Sequence, residues 1–258
     1  MGPLEEALRA RRDAGGSAFV PYLTGGFPGV DAALLRAVAE EGADAIEVGV
    51  PHSDPVMDGG VIQQASSAAL AAGARPFDVL ATIREAELPI PVAVMTYVNP
   101  VLRLGVDAFL DRGVEAGVAG MIVPDLPVDE ADELGAACAA RNVDAVLLAA
   151  PGASRARLAA IAARAHGFVY CVATYGVTGA RDELGSTAAD LVAELRPLTD
   201  LPLLVGVGIG SPEQAREASA FADGVVVGSA LMSCMVEGDA RGTLELVRAF
   251  RSALPLHG

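Results

Sequence analysis

Two carboxylates pose the first chemical question in this chain. Glu47 sits inside the apolar run of Ile46, Val48 and Val50, and the following loop, "PHSDPVMDGG", carries Asp54 and Asp58. Alternation along a strand sets Glu47 on the face opposite Ile46 and Val48. A carboxylate held there is partly dry, which disfavours its charged form, raises its pKa and suits it to exchange protons near neutrality. A structural glutamate hydrogen-bonded in the same place fits the strand equally well. Asp58, flanked by Met57 and the flexible pair Gly59 and Gly60, is where a mobile loop could carry a carboxylate to a substrate N–H or O–H. Turn or capping roles ahead of a helix expected near Val61 remain open for both aspartates, and for Asp54 that is the better reading. No nearby His or Cys cluster supports a metal.

The carboxyl half carries a different pattern. "YGVTGAR", "VGVGIGS" and "VVVGSAL" each follow or end an apolar run, so Gly179, Gly208, Gly210 and Gly228 leave backbone uncovered at neighbouring loops, with Ser229 opening a helix. Bare N–H groups beside a helix N-terminus favour a phosphate without any Lys or Arg. One glycine turn is only a turn, but three at one end of a sheet point to an anion. Tyr170 could send its hydroxyl to the same place, although core packing explains it as well. Arg181 is as readily a surface residue as a ligand. His52 reads as a supporting or surface residue, and no role is assigned to His166 or His257.

What must position these groups is a run of β-rich segments alternating with longer helical patterns. Eight strands are expected, at Ala18 to Leu23, Ala45 to Val50, Val92 to Met95, Gly120 to Val123, Ala145 to Ala149, Phe168 to Val172, Leu203 to Val207 and Gly224 to Val227. Helical stretches such as "VDAALLRAVAEEGA" and "SRARLAAIAARAH" lie between them, with Asp31, Asp129, Ser154 and Ser211 as candidate caps. A short helix from Leu4 to Arg12 should plug the base, and an extra helical segment near Pro76 to Ala86 fits between strands two and three. The expected architecture is α/β, a single (β/α)8 TIM barrel spanning 1–258, whose active site lies at the carboxyl ends of the strands. An open doubly wound sheet is the alternative, but its dinucleotide fingerprint is missing after the first strand.

Composition narrows the chemistry further. With 258 residues and 52% hydrophobic content the chain can bury one large core. It has no long apolar run and no signal-peptide pattern, so a cytoplasmic protein is expected. A net charge of -15 opposes nucleic acid and anionic membranes as partners. The three cysteines, Cys138, Cys171 and Cys234, have neither disulfide nor zinc spacing. Every one of the 18 basic residues is arginine, which removes Schiff-base chemistry on a lysine of this chain.

These stretches, with "FVPYLTGGFP", "MTYVNPVLRLG" and "VPDLPVDE", resemble the tryptophan synthase alpha chain family over essentially the whole length. The resemblance implies a lyase that cleaves indole-3-glycerol phosphate to indole and glyceraldehyde 3-phosphate by a retro-aldol reaction in tryptophan biosynthesis. It implies Glu47 as the general acid/base, Asp58 as the loop carboxylate on the indole N–H, and Tyr170 as a supporting catalytic tyrosine. Tyr22, Thr178, Gly179, Gly208, Gly210, Gly228 and Ser229 match substrate-binding positions. It further implies an αββα complex with a beta chain that carries pyridoxal phosphate, leaving this chain without a cofactor. A stand-alone indole-releasing lyase, a regulatory phosphate-binding subunit and another phosphosugar enzyme are the competing readings. His52 stands where the family usually has Phe or Tyr, Gly60 where it usually has Pro, and Tyr175 where a smaller or aliphatic residue is common. Loss of the proline should loosen the Asp58 loop.

Overall fold

Eight short apolar runs become eight parallel strands that pair in sequence order, and the eighth returns to the first: β1 (Ala18–Thr24), β2 (Ile46–Gly49), β3 (Val92–Met95), β4 (Val118–Ile122), β5 (Asp144–Ala149), β6 (Val169–Val172), β7 (Leu203–Gly206) and β8 (Gly224–Val227). The structure, a computed structural model, describes residues 1–172 and 181–256, and of 181–186 the backbone alone. Among the described residues, twelve helices surround or close the barrel: α1 (Pro3–Asp13), α2 (Ala32–Glu40), α3 (Gly60–Ala71), α4 (Pro76–Ala86), α5 (Val98–Leu104), α6 (Val106–Glu115), α7 (Asp132–Ala139), α8 (Arg155–Arg164), α9 (Arg181–Leu195), α10 (Pro212–Ala218), α11 (Ser229–Val236) and α12 (Ala240–Ala253). None of them is long and apolar enough to cross a membrane.

Two-residue alternation sorts the strands into two cores. Phe19, Leu23, Ile46, Val48, Val92 and Val94 face outward into the layer shared with the helices. Ala18, Val20, Ala45, Ala93, Val146, Phe168, Leu204 and Val226 belong to the inner cluster, together with Leu4 and Leu8 of α1. The small inner residues have a steric cause. A Cβ on Gly120 would stand 2.4 Å from Leu4 Cδ2, so the base is hollowed to receive α1 as a plug. Asp144 fixes the plug's end by accepting hydrogen bonds from the Gly2 N–H (3.2 Å) and the Glu5 N–H (3.0 Å).

The predicted α1 and α4 segments are present, and α4 has the expected bounds. Asp31, Ser154 and Ser211 cap α2, α8 and α10 by accepting from the N–H three residues on. Asp129 does not: it lies in a 3₁₀ turn, Val128–Glu130, and α7 follows Ala131 without a side-chain cap. The sequence pattern also missed α5, which interposes between β3 and α6. β7 stops one residue short of Val207 because the backbone turns there to φ 65°, a left-handed conformation that costs a β-branched residue roughly 1–3 kcal/mol.

Candidate active site

Glu47 ends up where strand alternation requires, facing into the barrel mouth between Tyr22 of β1 and Ala93 of β3. It is 1% exposed, and neither carboxylate oxygen has a hydrogen-bond partner among the described residues. Among the described residues, then, no donor ties this glutamate down. A carboxylate left dry keeps its proton, and burial followed by the negative charge of Asp58 pushes the Glu47 pKa from 4.5 to about 8.

Asp58 lies two residues before α3, whose N-cap is Gly59 with no side-chain cap, so the aspartate is free of helix duty. Its carboxylate Oδ2 accepts a hydrogen bond from the Tyr97 hydroxyl at 3.2 Å. Burial raises its pKa from 3.8 to about 6, and the Tyr97 hydrogen bond pulls against that rise. The loop is closed on itself by the Asp58 N–H to Pro55 carbonyl bond (3.0 Å) and by Gln63 Nε2 donating to the Asp58 carbonyl (2.9 Å). Asp54 is exposed; its carboxylate accepts from the neighbouring Ser53 hydroxyl at 2.7 Å and its carbonyl from the Val56 N–H at 2.9 Å, as in a turn.

Two tyrosines complete the inner wall, and two strand-end glycines make room for them. A Cβ on Gly49 would overlap the Tyr22 hydroxyl at 2.1 Å, and one on Gly206 would overlap the Tyr170 hydroxyl at 2.4 Å. Burial is the main reason that both phenols are held well above their ordinary pKa. The Asp58 and Glu47 charges add to it. Each phenol therefore stays neutral and able to donate. Both tyrosines and both carboxylates thus share one electrostatic space at the carboxyl ends of the strands.

The glycine-rich side of the mouth is built from β7, β8 and α11. Gly208 takes φ 101°, open to glycine alone at little cost, and its backbone is exposed. Gly228 is the N-cap of α11 and packs on the Tyr22 ring, where a Cβ would come within 3.2 Å of Cδ1. Ser229 opens that helix, so its first-turn N–H groups lack intrahelical partners and carry the positive end of the helix dipole. A Cβ on Gly59 would lie 3.9 Å from the Ser229 hydroxyl, which places the Asp58 loop against this helix end. The Gly210 N–H is already engaged, donating to Gln214 Oε1 at 2.7 Å. Thr178, Gly179 and Tyr175 lie outside the described residues, as do His257 and the Arg181 side chain.

Sequence reasoning missed Tyr97. It lies just past the end of β3 in "MTYVNP", a polar aromatic at a strand's carboxyl end, and that position was the available signal. Besides donating to Asp58, its hydroxyl accepts from the Met57 N–H at 3.0 Å, and its ring stacks on His52 with centroids 4.6 Å apart. The next residue, Val98, donates its N–H to Asp125 Oδ1 at 2.9 Å, linking this corner to the loop after β4. Among the described residues, the one group with metal-ligand spacing is Glu5, Asp144 and His166, at the opposite end of the barrel, where Asp144 anchors α1.

A family model described as tryptophan synthase alpha chain matches residues 8–253. The tryptophan synthase alpha chain of Synechococcus elongatus is 44% identical over 259 residues, covering 98% of this chain and 97% of the relative. That of Streptomyces avermitilis is 46% identical over 256 residues, covering 97% and 92%. A crystal structure of tryptophan synthase from M. tuberculosis, in a ligand-free form, superposes with a TM-score of 0.89 at 38% identity, over 98% of this chain and 99% of that one. The tryptophan synthase subunit alpha of Legionella pneumophila superposes with a TM-score of 0.88 at 32% identity, over 98% of both chains.

Proposed function

The chain belongs to the tryptophan synthase alpha chain family, and from that premise we propose that Glu47 and Asp58 carry its chemistry. The protein is a lyase that cleaves indole-3-glycerol phosphate to indole and glyceraldehyde 3-phosphate in tryptophan biosynthesis. The observation that carries the residue assignment is the split between two carboxylates in one space. Near neutral pH Glu47 holds a proton, with a pKa of about 8, while Asp58 is mostly ionised, with a pKa of about 6.

That split matches the needs of the reaction in order. Glu47 gives its proton to indole C3, and the positive charge that develops on the ring is spread to the nitrogen. Ionised Asp58 accepts the hydrogen bond of that N–H and stabilises the cation. Glu47, now a carboxylate, removes the proton of the adjacent glycerol hydroxyl. The carbon–carbon bond then breaks, its electron pair returns to the ring as indole, and the aldehyde forms. Glu47 ends protonated again. The neutral Tyr170 and Tyr22 hydroxyls are donors beside the reacting atoms; Gly208, Gly228 and Ser229, with Gly179, hold the phosphate, and Thr178 is a further substrate-binding residue. Gly210 joins them once Gln214 releases its N–H. Nothing in this sequence of proton transfers calls for a cofactor in this chain.

The partner in this reading is a beta chain that carries pyridoxal phosphate, joined in an αββα complex. Val56 (77% exposed) and Met57 (42% exposed) support it, since they offer apolar side chains to solvent on the loop that also bears Asp58. We place the protein, as one barrel domain, in the cytoplasm. Incubated with indole-3-glycerol phosphate, the purified chain is expected to release indole slowly alone and faster with a beta chain. Full turnover without a beta chain would point to the stand-alone lyase instead. No indole under either condition would contradict the assignment.

A further inference from the structure

We propose that Tyr97 is a positioning residue for the cleavage reaction. Its hydroxyl, held between the Met57 N–H and the Asp58 carboxylate, and its ring, stacked on His52, set the loop carboxylate in place toward Glu47. The proposal rests on the role given to Asp58 above and extends it to how that group is aimed.

The geometry joins three elements at one side chain. The hydroxyl accepts from the Met57 N–H at 3.0 Å and donates to Asp58 Oδ2 at 3.2 Å, so donor and acceptor capacity are both used on adjacent residues of the same loop. The phenol cannot follow the loop outward. It is 4% exposed and stands at the N-cap of α5, whose first N–H is held by Asp125. His52 covers its face with the two rings 18° from parallel, and His52 belongs to the same loop as Met57 and Asp58. A rigid post thus grips the loop at a ring and at two polar atoms. Between Asp58 and the start of α3 at Gly60 stands only Gly59, whose backbone supplies little stiffness of its own.

Asp58 faces Glu47 from β2, Tyr22 from β1, Tyr170 from β6 and Tyr97 after β3, while Asp125 faces Tyr97 from the loop after β4. Among these groups only Tyr97 has a hydrogen bond to the Asp58 carboxylate that favours its charged form. Positioning and ionisation therefore depend on the same atom.

The test is Tyr97→Phe, which keeps the ring and the stacking and removes the hydroxyl alone. Turnover of indole-3-glycerol phosphate is followed against pH with the beta chain present, and glycerol phosphate binding is measured separately. The expected result is a kcat lowered about tenfold, an acid limb moved upward by about one pH unit, and glycerol phosphate affinity kept. His52→Ala should lower kcat in the same direction, and His52→Phe should restore it. A Tyr97→Phe enzyme with the original kcat and acid limb overturns the proposal, as does one that loses glycerol phosphate binding in step with kcat. If Asp58→Asn were itself fully active, the role of Asp58 would fail, and with it the premise; an impaired Asp58→Asn beside a normal Tyr97→Phe sinks only the proposal.

Discussion

Glu47→Gln is expected to slow indole release from indole-3-glycerol phosphate roughly 10²–10⁴-fold, while glycerol phosphate still binds. The amide copies the shape of the protonated carboxyl but neither gives up nor takes a proton at neutral pH, so protonation of the ring and deprotonation of the glycerol hydroxyl both lose their agent. The binding side survives because Gly208, Gly228 and Ser229 lie after β7 and β8 and at the start of α11, on other elements. The same substitution carries a second readout in stability. Folding raises the Glu47 pKa from 4.5 to about 8, so the folded state binds the proton more tightly than the unfolded chain does. This contribution is fully present below pH 4.5 and is lost as pH rises through about 8. Glutamine has no such dependence. Urea denaturation should therefore show the variant gaining on the unaltered chain between about pH 5 and 9, by on the order of a few kcal/mol at the alkaline end.

Asp58→Asn is expected to cost roughly 10²–10³-fold in kcat, the scale seen when one electrostatic partner of a transition state is removed. Asparagine can still accept the Tyr97 hydroxyl, so the loop keeps its anchor and the lost element is the negative charge opposite the indole nitrogen. The pH profile separates this from a general loss of structure. In the unaltered enzyme kcat/KM should rise as Asp58 ionises near pH 6 and fall as Glu47 gives up its proton near pH 8. The asparagine variant should lose the acid limb and keep an alkaline one, moved to lower pH because the Asp58 charge no longer raises the Glu47 pKa. A residual acid limb at the same pH would assign it to another group.

How far the sequence could be read depended on whether the signal was local. The eight strands were visible because each is a short apolar run between helical periods, and β3 and β8 have the predicted bounds. Glu47 was visible because a charged residue in such a run breaks the pattern. β7 ended early for a reason no period reveals, the left-handed turn at Val207. Helix α5 was missed because its seven residues, "VNPVLRL", contain a proline and span under two turns, too short for a face to repeat. Asp129 has the composition of a cap but is spent in a 3₁₀ turn. The partners of Asp58 were the least legible part. Tyr97 lies 39 residues away, and only the parallel pairing of β2 with β3 brings their carboxyl ends together. The same holds for Gly49 and Gly206, whose need for a bare Cα is set by tyrosine hydroxyls on neighbouring strands.

A dry Glu47, without a hydrogen-bond partner among the described residues, should still be protonated when Asp58 on the loop is already ionised. The most direct measurement is a carboxyl carbon NMR titration of the chain labelled at glutamate, with Glu47→Gln used to assign the resonance. The Glu47 signal is expected to stay in its protonated position at neutral pH and to titrate near 8. A midpoint near the ordinary glutamate value of 4.5 would contradict it, since Glu47 would then have no proton to give to the ring.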